Sequence, residues 1–415
     1  MYYKCLRCKN VYSTELDLIY HEEDDHDLHE SAECDVCLKR FPRRSDCLRH
    51  KQTKHQKSIL LDFLKNRYAE ITVEASDRKV ARLEVQKVFE ALADCFGNGI
   101  FLKQFQKSGS YSTKTKELHA NEFDFDVPLK FQLEKLHLNY EKNEVYQHFD
   151  QAQKNLKLNV PMKVTRKYYL IPQGYVEIKR KRGEPVVPRE IQEELYQDLM
   201  CAKGKVEGTL DVFQEAEGPA LTVRMKPPGL PNITINLCAS IATDKITLRH
   251  YRWPRPQTRN CLSPKLIRLI LNAGLHLTPK HLKFWYISVS KAGQALMNGI
   301  DDADKGCRRQ CHKLLKADFQ TWLGRSGNNL PGISTMVLKH QLFWMNEKKQ
   351  LDWSEEKLAD RYLDMLEDLS QRLRSGKLYN YFLDYENIFE DKDQQVLNEV
   401  ANYANARSQG LIAMG

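Results

Sequence analysis

Lys107-Ser108-Gly109-Ser110, followed by Asn121-Glu122-Phe123-Asp124-Phe125-Asp126, is the stretch on which the fold of this chain turns. Side chains at i and i+2 of a strand share a face, so Glu122 and Asp124 point the same way, with the apolar Phe123 between them. Two carboxylates so placed suit a pair of divalent cations about 4 Å apart that clamp a nucleotide's phosphates. Gly109 permits close backbone approach, and the Ser110 hydroxyl and amide can hold a terminal phosphate. Together these pieces point to phosphoryl transfer. Alternating acid and phenylalanine is also how an exposed strand face reads, so both interpretations stay open on these residues alone.

Working outward, Leu60, Leu61, Phe63 and Leu64 begin a helical pattern, and Val80 to Phe96 reads as a long amphipathic helix ended by Gly97-Asn98-Gly99. Short strand-like stretches follow at Phe123 to Leu129, Lys167 to Ile171, Val176 to Ile178, Leu221 to Met225 and Ile233 to Leu237, with a helical pattern at Pro188 to Cys201 between them. That combination predicts a mixed sheet. From Ser263 onward the sequence reads as helices almost throughout: Leu266 to Leu275, Arg308 to Leu323, Ile333 to Trp344, Ser354 to Leu373 and Gln394 to Ala406. The predicted division is tandem fingers over 1–56, a sheet-bearing core with its long helix over 57–260, a helical lobe over 261–405 and a disordered tail over 406–415.

The chain has 415 residues, 41% hydrophobic and 29% charged, which is enough to bury more than one core and too apolar for bulk disorder. With a mean hydropathy of −0.60 and no apolar run long enough to span a bilayer, a transmembrane helix is not expected, and the first residues do not read as a signal peptide. Cytosol or nucleus is the expected compartment, with no membrane partner. A net charge of +9 favours a polyanionic partner. Eleven cysteines suggest metal ligands and buried thiols in place of a disulfide framework.

Metal ligation is most legible at the N-terminus. Cys5, Cys8, His21 and His26 have the spacing of a two-cysteine, two-histidine zinc finger, and Cys34, Cys37, His50 and His55 repeat it. Each set can close a tetrahedral N/S shell whose zinc ion supplies folding energy that so small a module lacks. Tyr12 and Leu18 are the expected core of the first ββα finger and Phe41 of the second, where Cys47 replaces the usual leucine. Arg43, Asp46 and Arg49 take the helix positions that face bases, in a finger rich in lysine and arginine. The first finger is acidic, so a phosphate backbone would repel it and a protein contact suits it better. A basic run at Lys179 to Arg182 and the helix residues Arg78, Lys79, Arg82 and Lys87 offer further surfaces for duplex nucleic acid.

Gly109-Ser110, Asn121 to Asp124, Leu277-Thr278-Pro279-Lys280-His281 with Trp285, Ser288 and Ser290, Cys307 to Cys311, and Ile333-Ser334-Thr335 with Lys339 together resemble cyclic GMP-AMP synthase and the wider male-abnormal family of nucleotidyltransferase-like proteins. The resemblance covers roughly residues 60–405. It implies an α+β bilobal nucleotidyltransferase fold, a mixed-sheet lobe with a spine helix and a helical C-terminal lobe, here preceded by the two fingers. It further implies a cleft in which Ser110 holds donor phosphate, Glu122 and Asp124 hold magnesium or manganese, and Lys316, Ser334 and Thr335 contact nucleotide. In the family, duplex binding along the spine activates joining of ATP and GTP into a cyclic dinucleotide, an innate immune messenger.

Three positions depart from that pattern. Where active relatives place a third metal-binding aspartate this chain has Asn236, a neutral amide that should weaken both cation binding and activation of the attacking hydroxyl. Asp126 is on the same strand face, but roughly 6.6 Å beyond Asp124. Tyr286 replaces a base-reading arginine and Met336 a base-stacking tyrosine. The vertebrate synthase's zinc-binding insertion is missing between Asn298 and Cys307, which leaves Cys307 and Cys311 as buried thiols and His312 as an expected surface neighbour. Relatives without that insertion tend to sense RNA, so double-stranded RNA is the first expected ligand and DNA the second. A cyclic-dinucleotide-forming sensor is the leading reading, and an inactive scaffold that retains nucleotide or duplex binding is the alternative.

Overall fold

The computed structural model describes residues 3–12, 17–19, 21–22, 31–35, 37–50, 55–72, 75–96, 99–113, 122–130, 136–137, 175–176, 178–180, 185–206, 209–214, 219–227, 232–243, 247–280, 284–325, 335–348, 351–383 and 386–414. His26, Ser334, the Arg78 side chain, the stretch from Lys167 to Ile171 and the second half of the basic run at Lys181-Arg182 lie outside the described residues. Two short antiparallel hairpins come first, β1 (Tyr3–Lys4) with β2 (Val11–Tyr12) and β3 (Ala32–Glu33) with β4 (Arg40–Phe41), the second leading into helix Arg44–His50.

The core sheet combines β5 (Gln106–Ser108), β6 (Glu122–Pro128), β8 (Tyr175–Val176), β10 (Thr209–Gln214), β11 (Ala220–Lys226), β12 (Ile233–Thr243), β13 (Leu275–Thr278) and β14 (Trp285–Ser288). A separate pair joins β7 (Leu136–His137) to β9 (Lys179–Arg180). The long strand β12 organises the sheet: one edge pairs antiparallel with β11, the other pairs parallel with β6 and then antiparallel with β13. Alternation decides which way its residues face. Ile233, Ile235, Leu237, Ala239 and Ile241 are buried on one side, and Asn236 stays half-buried on the other.

The same alternation on β6 buries Phe123 and Phe125 under the spine helix Ala75–Cys95, where the Phe89 ring meets Phe125 edge-on at 4.5 Å. That helix buries Ala81, Val85, Val88, Phe89 and Leu92, a stripe at helical spacing, and leaves Lys79 and Arg82 exposed. Helix Pro188–Lys203 packs against the spine.

The strand content of the core is larger than the sequence pattern suggested. Leu275–Thr278 and Trp285–Ser288 are strands of the same sheet, in a region read as helical almost throughout. Helix Pro264–Ala273 is opened by Ser263, whose side chain accepts from the Leu266 amide, and is ended by Gly274 at φ +68°. The next four residues are all buried, a run whose spacing does not distinguish strand from helix. The sheet therefore continues past the boundary expected at 260/261.

Helices Arg308–Arg325, Met336–Lys348, Leu358–Ser375 and Gln394–Met414 form the second lobe. The disordered tail expected from 406 is corrected: the last helix continues to Met414, because Arg407 pairs with Asp318 at 2.7 Å and Leu411 is fully buried. Helix Gln56–Glu70, directly after the second Cys/His cluster, docks on this lobe through Lys57 to Asp360 at 3.0 Å, while the Lys313 ammonium reaches Thr72 just past the helix end at 2.8 Å. Among the described residues, no helix is long and apolar enough to cross a membrane.

Candidate functional site

Register brings the acidic pair and the amide together. Parallel pairing sets Asp124 opposite Asn236 and Glu122 opposite Thr234, while β5 sets Ser108 opposite Asp124. The Asn236 amide nitrogen donates to Asp124 Oδ1 at 3.0 Å and to Glu122 Oε1 at 3.4 Å. Its amide oxygen is turned the other way and accepts from the Thr222 hydroxyl on β11 at 3.0 Å. Both carboxylates thus aim at one point, and that point is filled by an –NH₂ group. An amide N–H partly mimics a cation for its acceptors, so the donor set fits a divalent ion at this position once the amide rotates or gives way. Glu122 and Asp124 would hold such an ion and polarise a bound phosphate, while Asn236 would add one neutral oxygen.

Gly109 is demanded by the same geometry. Its φ of +62° favours glycine, and a Cβ there would lie 1.7 Å from Asp124 Oδ2. The turn of Gly109 and Ser110 therefore rides directly on the acidic strand.

Gly109, Ser110, Glu122 and Asp124 line a cleft of about 370 Å³ between the lobes, together with Lys316, Thr335, Met336, Lys339 and Tyr286, and Asn236 lies behind the two acids. Lys316 is buried, so its charge is directed at the cleft with little solvent around it. The Tyr286 hydroxyl donates to Glu386 at 2.7 Å, and the Lys280 ammonium lies 4.5 Å from the centre of the Tyr286 ring. Asp126 does not supply the missing carboxylate: it is buried and paired with Lys291 at 2.7 Å. Beside it, burial holds His276 down to about 4, so the ring is neutral and contacts the Ser290 hydroxyl at 3.1 Å. His312, expected at the surface, is fully buried in its helix. Cys307 and Cys311 are buried thiols, as read.

Gln294 was missed by the sequence reading. Its side-chain oxygen accepts from Ser112 at 3.2 Å, while its buried Nε2 has no partner among the described residues, and Gln294 lines the cleft. No local pattern marks it, because its role depends on the helix after β14 facing the Gly109 turn.

Cys34, Cys37, His50 and His55 bring one ligand atom each within 4.8 Å of one another. The Nε2 atoms of His50 and His55 are 3.1 Å apart and Cys37 Sγ is 3.2 Å from His50 Nε2. A tetrahedral zinc shell has N···N edges of about 3.3 Å, so the set fits the metal. Cys5, Cys8 and His21 converge likewise, and the Cys8 amide holds the Cys5 thiol down to about 6, toward the thiolate a metal needs. Substituting Cys34→Ser is expected to lower bound zinc from about two ions per chain to about one, measured by elemental analysis of the purified protein.

Arg43 and Arg49 are exposed beside the second Cys/His cluster, with Arg49 3.8 Å from Asp46. A second basic feature had gone unread: Arg249, Arg252, Arg259 and Arg268 surround a depression of about 680 Å³ floored by Trp253, Pro254, Ile267 and Leu271.

A mixed sheet carrying paired carboxylates beside a glycine-serine turn, closed by a helical lobe, defines a nucleotidyltransferase fold. Residues 111–299 match the Mab-21 protein nucleotidyltransferase domain and residues 307–406 the Mab-21 protein HhH/H2TH-like domain, and the chain belongs to the Mab-21 family. It is 26% identical over 223 residues to protein mab-21-like 3 of Danio rerio, covering 53% of this chain and 56% of that protein. It is 24% identical over 325 residues to a cyclic GMP-AMP synthase-like receptor of Magallana gigas, covering 74% of this chain and 50% of the relative. Cyclic GMP-AMP synthase-like receptor 3 of Stylophora pistillata is 21% identical over 353 residues, 81% of this chain and 90% of that one. The chain spans about half the length of the first two relatives.

Proposed function

We propose that this protein is a nucleic-acid-responsive receptor whose cleft binds a nucleoside triphosphate, ATP or GTP, with a divalent cation, and which performs little or no dinucleotide synthesis. The observation that carries this reading is the Asn236 amide, clasped by Asp124 and Glu122 and held from behind by Thr222. Two-metal transfer needs concentrated negative charge at that point, and an amide contributes none. Ser110, Lys316 and Thr335 still supply phosphate contacts, with Ser334 next to Thr335 in sequence, so binding survives where chemistry is weakened. Lys79 and Arg82 on the spine, Arg43 and Arg49 on the second finger, and the arginine-ringed depression are the surfaces for duplex RNA or DNA. The acidic first finger is assigned to a protein partner.

The second reading, an active cyclic dinucleotide synthase of innate immunity, is favoured by the retained Glu122 and Asp124 and by the names of two relatives. Purified full chain incubated with ATP, GTP, manganese and duplex RNA or DNA separates the two. Saturable nucleotide binding that Glu122→Gln weakens, with no dinucleotide detected, is expected. Cyclic or linear product from the unaltered chain, lost in Glu122→Gln, would establish the synthase instead.

A further inference from the structure

Away from the cleft and the fingers, two thiols meet across two helices. Cys95 is the last residue of the spine helix and Cys201 lies in the last turn of helix Pro188–Lys203, and their Sγ atoms are 2.7 Å apart. The two helices pack against each other, so the approach is held by the core and does not depend on a loose loop. Cys201 is exposed to solvent and Cys95 is half-buried, which gives an oxidant access to the pair. The Lys205 ammonium lies against the Cys95 thiol. Burial and the neighbouring Cys201 thiol push Cys95 above its ordinary value, and Lys205 draws it back. Cys307 and Cys311, by contrast, are 4.0 Å apart, one turn from each other along a single chain segment, and fully buried, so bridging them would require opening the lobe.

We propose that Cys95 and Cys201 are a reversible disulfide site that ties the end of the spine helix to helix Pro188–Lys203. The oxidant is a peroxide. The exposed Cys201 thiolate attacks the O–O bond, becomes a sulfenic acid and releases one oxygen as water; the Cys95 sulfur then displaces the sulfenic hydroxyl as a second water and the S–S bond forms. Two electrons pass from the sulfur pair to the peroxide, and both thiol protons end in water. A dithiol reductant reverses the reaction.

The bridge has a defined place in the fold. Past Cys95 the chain runs through Phe96, whose ring packs on Phe101 at 5.2 Å and Phe105 at 5.9 Å, into β5 and the Gly109-Ser110 turn. Oxidation pins the root of that segment and leaves the turn itself untouched.

The test uses the full zinc-loaded chain, treated with stoichiometric hydrogen peroxide, blocked with an alkylating agent and digested without reduction. The expected result is one cross-linked species joining the peptides of Cys95 and Cys201, about 2 Da lighter than the sum of its reduced parts, and abolished by dithiothreitol. Melting of the core should rise by roughly 5 °C on oxidation, because the bridge closes a long loop, and Cys95→Ser with Cys201→Ser should melt like the reduced wild type under both conditions. Finger thiols are followed in the same digest, so zinc loss is scored separately. Cys95 and Cys201 recovered only in linear peptides, or only in bridges between two chains, at peroxide levels that oxidise the finger cysteines would overturn the proposal.

Discussion

Asn236→Asp is expected to raise the cleft's affinity for manganese by about tenfold or more, and to raise any nucleotide transfer by at least as much. The substitution changes the –NH₂ group that now bridges Asp124 and Glu122 into a third anionic oxygen at the same point. Coulomb attraction between one added charge and a divalent ion about 4 Å away exceeds the roughly 1.4 kcal/mol that a tenfold change requires, even at the effective dielectric of a partly wet cleft. Without a cation the sign reverses. Three carboxylates then converge on one point where an amide donor had been, so the variant should melt below wild type in chelator and regain the loss on adding manganese. Calorimetric titration with manganese, and melting with and without chelator, read both halves. An unchanged manganese affinity would show that Asn236 does not face the ion, and the proposed reason for low output would be lost.

Arg255→Ala is expected to destabilise the protein by about 3–5 kcal/mol, because it leaves a buried carboxylate uncompensated. Arg255 lies in the nucleotidyltransferase domain and Glu347 in the C-terminal one. The guanidinium grips Glu347 with two bonds at 2.7 and 3.1 Å, donates to the Tyr381 carbonyl at 2.8 Å and stacks 4.3 Å from the centre of the Trp344 ring. Thr258 and the Tyr381 hydroxyl complete the carboxylate's shell, each at 2.6 Å, and the Glu347 side chain is only 2% exposed. Burial pushes the Glu347 carboxyl up, but the bonds from Arg255, Thr258 and Tyr381 outweigh it and leave the group below its ordinary value of 4.5. A depressed carboxyl stabilises the fold above that ordinary value and loses the contribution as pH falls through the folded one. Denaturant melts at neutral and acidic pH should therefore show the wild type losing part of its advantage over Arg255→Ala on the acid side. Equal melting of the two proteins at neutral pH would remove the clamp from the account of how the lobes are joined.

The acidic strand was readable because its side-chain period is two and its spacing from Gly109-Ser110 is short, and the clustering of Cys34, Cys37, His50 and His55 because metal geometry imposes residue spacing along the chain. The spine helix was readable for the equivalent reason at period 3.6: its buried stripe from Ala81 to Leu92 is local. Leu275 to Thr278 was not recognised as a strand because a segment buried on both faces has no periodicity left to detect. The ordered end of the chain was missed because the partner of Arg407 is Asp318, far away in sequence.

Chain order thus marked the candidates for the chemistry: Glu122 and Asp124 on one face, a turn able to take phosphate, two sets of cysteines and histidines at zinc-finger spacing, and an amide where a carboxylate would be expected. Folding settled what each of them meets. Parallel register between β6 and β12 put the amide of Asn236 against both acids, Thr222 on the neighbouring strand turned its oxygen away, and Lys291 claimed Asp126. The pairing of β6 with β12 joins segments more than a hundred residues apart, and no property of either segment alone encodes the register at which they join.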